Sequence, residues 1–193
     1  MRVLIIPEDF RKDQYILKPI ITAMLKYLDM NRAKVIVCTD PLLGGVSQAL
    51  KWKLIQEILE IYKNKINLFL LIVDRDGEEG RRKRLDQLEQ EAKKFLGPKR
   101  LYFAENAWQE VEVWVLAGHD LPNDWQWKTI RSERDPKERY YEPFAKLSGV
   151  WDQLAEGRKT LAEEAACRYT KIRQRCPEDI KALENKIQQG IPA

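Results

Sequence analysis

The chain has 193 residues, 44% hydrophobic and 33% charged, enough for one cored domain with an appended segment, and its formal net charge of +4 permits an anionic partner without demanding one. No stretch approaches the ~18 to 20 apolar residues of a membrane span, and the opening "MRVLII" is too short for a signal-peptide core. A single histidine, His119, excludes a multi-histidine zinc site, "GGVSQA" around Ser47 completes no nucleophile elbow, and neither a Walker sequence nor GxGxxG occurs.

In chain order, "RVLIIP" reads as a short buried strand bounded by Pro7, and "DQYILKPIITAMLKYLDM" as a helix that tolerates Pro19. "AKVIVCT" is a second strand, "DPLLGG" a turn, and "VSQALKWKLIQEILEIYKN" one amphipathic helix. "INLFLLIV" is a third strand, followed by the charged helix "EEGRRKRLDQLEQEAKKFL" ending at Gly97-Pro98, and "RLYFAE" is a fourth strand. The pattern of "NAWQEVEVWVLAG" favours a helix with Asn106 as its N-cap. Beyond His119, Trp, Tyr, Arg and Pro mark short helices and loops, and from Trp151 two helices follow, the second capped near Pro177. Strands separated by helices predict an α/β layered sheet of about four mainly parallel strands with right-handed crossovers. Residues 1–118 form this unit, and residues 119–193 a helical C-terminal extension packed on it. The three cysteines, Cys38, Cys167 and Cys176, odd in number and without metal spacing, point to a reduced cytoplasm.

In a parallel sheet, ligands gather beyond the carboxyl ends of the strands. Glu8 and Asp9 follow the first strand, Gly44 and Gly45 the second, and Asp74 and Asp76 the third. Two unit charges ~4 Å apart repel by about 4 kcal/mol at an effective dielectric of 20. Carboxylates gathered on one rim therefore hold protons at raised pKa or hold a cation. With no His or Cys beside them, the cation they suit is hard, Mg²⁺ or Mn²⁺. Asp is also a common turn former, and "DG" a common turn dipeptide, which accounts for Asp76 without any ion.

The segments "VLIIPED", "CTDPLLGG" and "LLIVDRDGEEG" resemble the Toprim fold, the metal-binding domain of topoisomerases, primases and overcoming-lysogenization-defect nucleases. The resemblance covers residues 1–105, and the whole chain is similar to small stand-alone bacterial Toprim-like proteins of unknown function. It implies that Asp74 and Asp76 ligate Mg²⁺ and that Glu8 ligates it or works as general acid/base. "EVEVWVLAGHD" resembles an E-x-W-x-L segment, implying Glu112 for a second ion, and "GRKTLAEEA" offers Lys159 to stabilise developing charge. The implied activity is Mg²⁺-dependent phosphodiester cleavage of DNA or RNA, in defence or nucleic-acid processing. An operon-encoded protein partner and a homodimer are compatible with it.

Arg81, Arg82 and Arg84 of "RRKR" are candidates to hold a nucleic-acid backbone, against the plainer reading of a solvated helix face balanced by Asp86 and Glu89. Arg168, Lys171, Arg173 and Arg175, with Tyr169 among them, form a second basic group. Trp125, Trp127, Tyr140 and Tyr141 read as satellite core, and His119 as a loop or helix-end residue. "LLIVDRDG" also resembles the hhhDxDG signature of haloacid-dehalogenase-type phosphatases, with Asp74 as nucleophile and Asp76 as general acid. That motif normally ends the first strand, which leaves Glu8 without a role. The third alternative is a non-catalytic Toprim-like scaffold that binds nucleic acid or a protein.

Overall fold

Four strands, β1 (Arg2–Pro7), β2 (Lys34–Val37), β3 (Leu68–Asp74) and β4 (Leu101–Ala107), form one all-parallel sheet in the order β2-β1-β3-β4 in the computed structural model, which describes residues 1–191. β1 pairs with β3 from Val3↔Leu68 to Pro7↔Ile72, and β3 with β4 from Leu68↔Leu101 to Asp74↔Ala107. This register sets Glu8, the residue after β1, beside the end of β3. The expected α/β layering with parallel strands is what the chain forms.

The unbroken apolar runs follow from burial on both faces, because successive strand residues point to opposite sides. Val3, Ile5, Leu68, Leu70 and Ile72 face one core; Leu4, Ile6, Phe69, Leu71, Val73, Tyr102 and Ala104 face the other. The second core is closed by α3 (Trp52–Tyr62) and α4 (Arg81–Leu96). The first is closed by α1 (Phe10–Tyr27), α5 (Glu112–Gly118) and the C-terminal helices.

Those helices are α6 (Trp127–Ser132), α7 (Glu142–Leu147), α8 (Arg158–Cys167), α9 (Tyr169–Arg175) and α10 (Ala182–Gly190), with five-residue π turns at Lys137–Tyr141 and Pro177–Lys181. Residues 119–191 thus share a core with the sheet. At Gly118 the backbones of α5 and α8 approach so closely that a Cβ would lie 2.6 Å from Ala165 Cα. The outer edge of β4 is blocked by side chains: Glu89 accepts the Ala104 N–H at 2.8 Å, and Lys186 Nζ donates to the Ala104 carbonyl at 3.0 Å. No helix among the described residues is long and apolar enough to cross a membrane.

Three local expectations change. The helix expected over "VSQALKWKLIQEILEIYKN" is two, α2 (Val46–Ala49) and α3, because Lys51 is extended (φ −91°, ψ 117°) between them. Asn106 lies inside β4 rather than capping a helix, and α5 begins only at Glu112. Among the described residues after Trp151 there are three helices, since Pro177 opens a further turn that runs into α10.

Asp179, in the middle of that turn, fastens the extension to the segment that follows β4. Its Oδ2 accepts from Trp108 N (2.8 Å), Trp114 Nε1 (2.7 Å) and Arg131 Nη1 (3.1 Å); Oδ1 accepts from Arg131 Nη2 and Ile180 N, both at 2.9 Å. An amide has one acceptor oxygen where this network needs two. Asp179→Asn is therefore expected to cost on the order of 3 kcal/mol, lowering the melting temperature by roughly 6 to 12 °C in a thermal melt. An unchanged melt would show that the network does not fasten the extension.

Candidate functional site

The carboxyl edge of the sheet is built around the turn "DRDG". Arg75 N donates to Ala107 O (3.2 Å) and Gln109 O (2.8 Å), and Asp76 N donates to Gln109 O (3.2 Å). Gly77 N donates to Gln109 Oε1 (2.9 Å). The turn after β3 is thereby stitched to the loop after β4. Asp76 (φ 50°) and Gln109 (φ 71°) both adopt left-handed backbone, which costs each about 1 kcal/mol and is found where surrounding bonds enforce it.

The stitching brings three carboxylates together. One oxygen each from Asp74, Asp76 and Glu110 lies within 4.8 Å of the others. Oxygens on an octahedral Mg²⁺ at ~2.1 Å are about 3 to 4.2 Å apart, so a small side-chain contraction would make this an all-oxygen cation site. Glu8 adjoins it: Glu8 Oε2 accepts the Asp74 N–H at 3.1 Å, and the Glu8 carbonyl accepts the N–H of Gly45 at 3.2 Å. The strand ends expected to meet do meet.

Charge crowding is visible in the acidities. Burial, then the charges of Glu112, Asp13, Glu8 and Glu110, holds the Asp74 carboxyl well above the usual carboxylate range. Burial and Glu112 push Glu110 up to about 7. Burial likewise raises Glu8, against the Asp74 N–H that favours its charged form. Two groups relieve the crowding. Val111 N donates to Asp74 Oδ1 at 2.9 Å, and Arg81, 7% exposed, bonds Asp76 Oδ2 at 2.9 Å and also the Asp74 carbonyl.

The other expected site residues are placed differently. Glu112 is 4% exposed and faces Arg158, itself 1% exposed, at 2.7 Å (Nη2) and 3.1 Å (Nε). Its Oε1 takes both bonds of a buried ion pair, and its charge still acts on Asp74 and Glu110. Lys159 is exposed in an open groove of about 750 Å³ between α1 and α8, with Lys18 and Thr22. Its neighbour Arg158 is the cation that turns inward. Asp9 caps α1, its Oδ1 accepting Arg11 N at 2.8 Å.

Within "RRKR", Arg81 serves Asp76. Arg82 bonds Asp86 (2.8 Å) and buried Glu105 (2.7 Å), and Arg84 bonds the Leu50 carbonyl (2.9 Å). In the second basic group, Arg168 pairs with Asp120 at 2.8 Å and Arg173 with Glu184 at 2.6 Å, while Arg175 lies over Trp127. His119 ends α5 with Nε2 2.9 Å from Leu161 O, and Trp125, Trp127, Tyr140 and Tyr141 pack on the first core.

Glu110 and Asp13 were not singled out in the sequence. A helix starting at Asn106 hides Glu110, whereas an E-x-E read as a loop before a helix would have pointed to it. Asp13 Oδ2 accepts Asp9 N at 2.9 Å, one turn into α1.

Two outcomes are expected. Glu112→Gln leaves the Arg158 charge buried with only Glu156 to pair it, so stability should fall by about 3 kcal/mol. The shift that Mn²⁺ produces in the melt should survive; its loss would make Glu112 a ligand after all. Burial raises Asp13 from 3.8 to about 7. A carboxyl whose folded pKa lies above its unfolded value stabilises fully below pH ~4, and that stability is lost as pH rises through about 7, at ~1.4 kcal/mol per unit of elevation. Cation-free protein should therefore melt at falling temperature from pH 5 to 8. Asp13→Asn should flatten that slope, and equal slopes would place the titration elsewhere.

Compared with known proteins, the chain matches no protein-family model, no curated protein and no solved structure.

Proposed function

We propose that the protein is a divalent-cation-dependent phosphodiesterase acting on nucleic acid, with a Toprim-like carboxylate site. Asp74, Asp76 and Glu110 would hold Mg²⁺ or Mn²⁺, and Glu8 stands beside them as a further ligand or proton acceptor. The observation that carries the reading is the convergence of Asp74, Asp76 and Glu110 within 4.8 Å at the carboxyl edge of a parallel sheet. The resemblance of the first three strand ends to Toprim motifs, which rests on Asp74 and Asp76 themselves, agrees with it.

A bound Mg²⁺ supplies Lewis-acid stabilisation of the anionic phosphorus centre and lowers the pKa of water. The chain's own residues do the rest. The N–H groups of Val111 and of the stitched turn fix Asp74 and Asp76 before any ligand arrives, so little reorganisation is left for the reacting state. Glu8, raised by burial above the usual carboxylate range, is a more basic acceptor than an ordinary carboxylate beside the three ligands. Arg81 neutralises Asp76 until a stronger cation competes for it.

The phosphatase alternative needs Asp74 as a free nucleophile. Here burial and the neighbouring acids hold Asp74 toward its protonated form, a poor nucleophile, and its Oδ1 already accepts the Val111 N–H.

Millimolar Mg²⁺ or Mn²⁺ should raise the melting temperature, since a ligand at 100 times its Kd adds about 2.7 kcal/mol. Asp76→Asn and Glu110→Gln should abolish that gain and cut cleavage of labelled DNA or RNA by at least ~100-fold. Arg81→Gln should instead tighten Mn²⁺ binding, about tenfold if its removal frees ~1.4 kcal/mol of competition. A melt unmoved by either ion overturns the cation site. Cation binding without turnover leaves a non-catalytic scaffold, and a trapped aspartyl-phosphate identifies the phosphatase.

A further inference from the structure

The arginines of both basic motifs are tied to acids, carbonyls or rings within the chain, so another surface must receive an anionic substrate if the acidic edge cleaves one. Among the arginines without an ion pair in the described residues, Arg75 and Arg134 lie in or against the "DRDG" turn itself. Arg75 sits between Asp74 and Asp76 and makes no ion pair among the described residues. Its guanidinium lies 3.9 Å from the centroid of the Trp108 ring, on the loop that carries Glu110 two residues later. Arg134 is exposed and likewise makes no ion pair among the described residues. Its side chain runs along Gly77, with Cγ, Cδ and Nε 3.8 to 3.9 Å from where a Cβ would stand.

These placements are informative because acids are close. Asp74 and Asp76 flank Arg75, and Glu78 and Glu79 follow within four residues, yet none of them takes it. Stacking on Trp108 holds the Arg75 charge away from the carboxylates while leaving its in-plane N–H donors at the ring edge. Arg81 meanwhile performs the neutralisation that Arg75 would otherwise provide. Gly77 has no side chain to lift Arg134 off the same turn. The outcome is one planar, five-donor fork on each of two segments meeting at "DRDG".

We propose that Arg75 and Arg134 form the substrate grip of the acidic site, each taking a phosphate of a phosphodiester backbone. A guanidinium fork matches the two non-bridging oxygens of a phosphodiester, and such contacts bind without reading sequence. This rests on the phosphodiesterase reading for the identity of the polyanion. It relocates the contact from Arg81, Arg82 and Arg84 on α4 to the two sides of the turn.

The test measures binding of fluorescein-labelled oligothymidylate to the full chain in Ca²⁺ over a range of salt concentrations, with the Mn²⁺-dependent melt recorded for every variant. Arg75→Gln and Arg134→Gln should each weaken binding about five- to tenfold and flatten the salt slope by about 0.7, the counterion release of one single-strand phosphate contact. The double variant should flatten it by about 1.4. Arg75→Lys, which retains charge but lacks the fork, should keep the slope and lose part of the affinity. Arg82→Gln with Arg84→Gln should leave the slope as it is. Unchanged slopes in the Arg75 and Arg134 variants, flattening in the α4 variant, or no oligothymidylate binding at all overturns the grip. A wild-type melt that Mn²⁺ does not move overturns the cation reading instead, so the two failures are told apart.

Discussion

Mutual repulsion of carboxylates at the carboxyl edge of the sheet is the constraint around which this molecule is arranged. Glu8, Asp13, Asp74, Glu110 and Glu112 all act on Asp74 or are acted on with it, and burial magnifies each contact. Left alone, such a group would push the strand ends apart. It is held by directed donors instead: Val111 N on Asp74, Asp74 N on Glu8, Asp9 N on Asp13 and Lys137 N on Glu110. Backbone N–H groups carry only partial charge. They orient carboxylates without neutralising them, which leaves the edge both ordered and short of positive charge. Among the described residues, full charges at this edge reach only Asp76, from Arg81, and Glu112, from Arg158, while the Asp74 carboxylate is held by a backbone N–H alone.

Arg158 and Arg81 show the two ways the chain supplies full charges. Arg158 is buried and grips Glu112 through two nitrogens, so that carboxylate is permanently answered. Arg81 meets Asp76 through a single nitrogen, and its Nε has no partner among the described residues. Asp76 is half-exposed, so its pairing is the exchangeable one. The chemical difference between Glu112 and Asp76 thus lies in the partner rather than in the carboxylate.

Much of the architecture was legible because it depends on periodicity. Unbroken runs such as "LFLLIV" occur when both faces of a strand are buried, and helices between them force parallel crossovers, so the sheet and the meeting of Glu8 with Asp74 could be read directly. Less legible were features set by tertiary contact. Lys51 breaks a pattern that is amphipathic throughout. Asn106 looks like a cap but continues β4, which moves Glu110 from a helix to the loop that faces Asp76. The side-by-side Arg158 and Lys159 are equivalent as letters; only the packing of α8 decides which turns inward. The "RRKR" arginines likewise look free until Asp76, Glu105 and the Leu50 carbonyl are seen to hold them.

The C-terminal extension is better understood as part of the site than as an appendage. Three of its elements reach the segment from Trp108 to Glu112: Asp179 takes the Trp108 N–H, Lys137 N takes Glu110, and Arg158 takes Glu112. That segment is the one whose Gln109 stitches the "DRDG" turn into its left-handed curl. Residues 1–118 supply the carboxylates and the Gln109 stitch, and the extension adds the Lys137 N–H that orients Glu110. A cation site demands ångström-level placement of several oxygens, and loops alone seldom give it. Here the loop is clamped by two buried charges of the extension, Asp179 and Arg158, and by the backbone N–H of Lys137. The precision of the acidic edge therefore depends on helices that contribute no carboxylate to it.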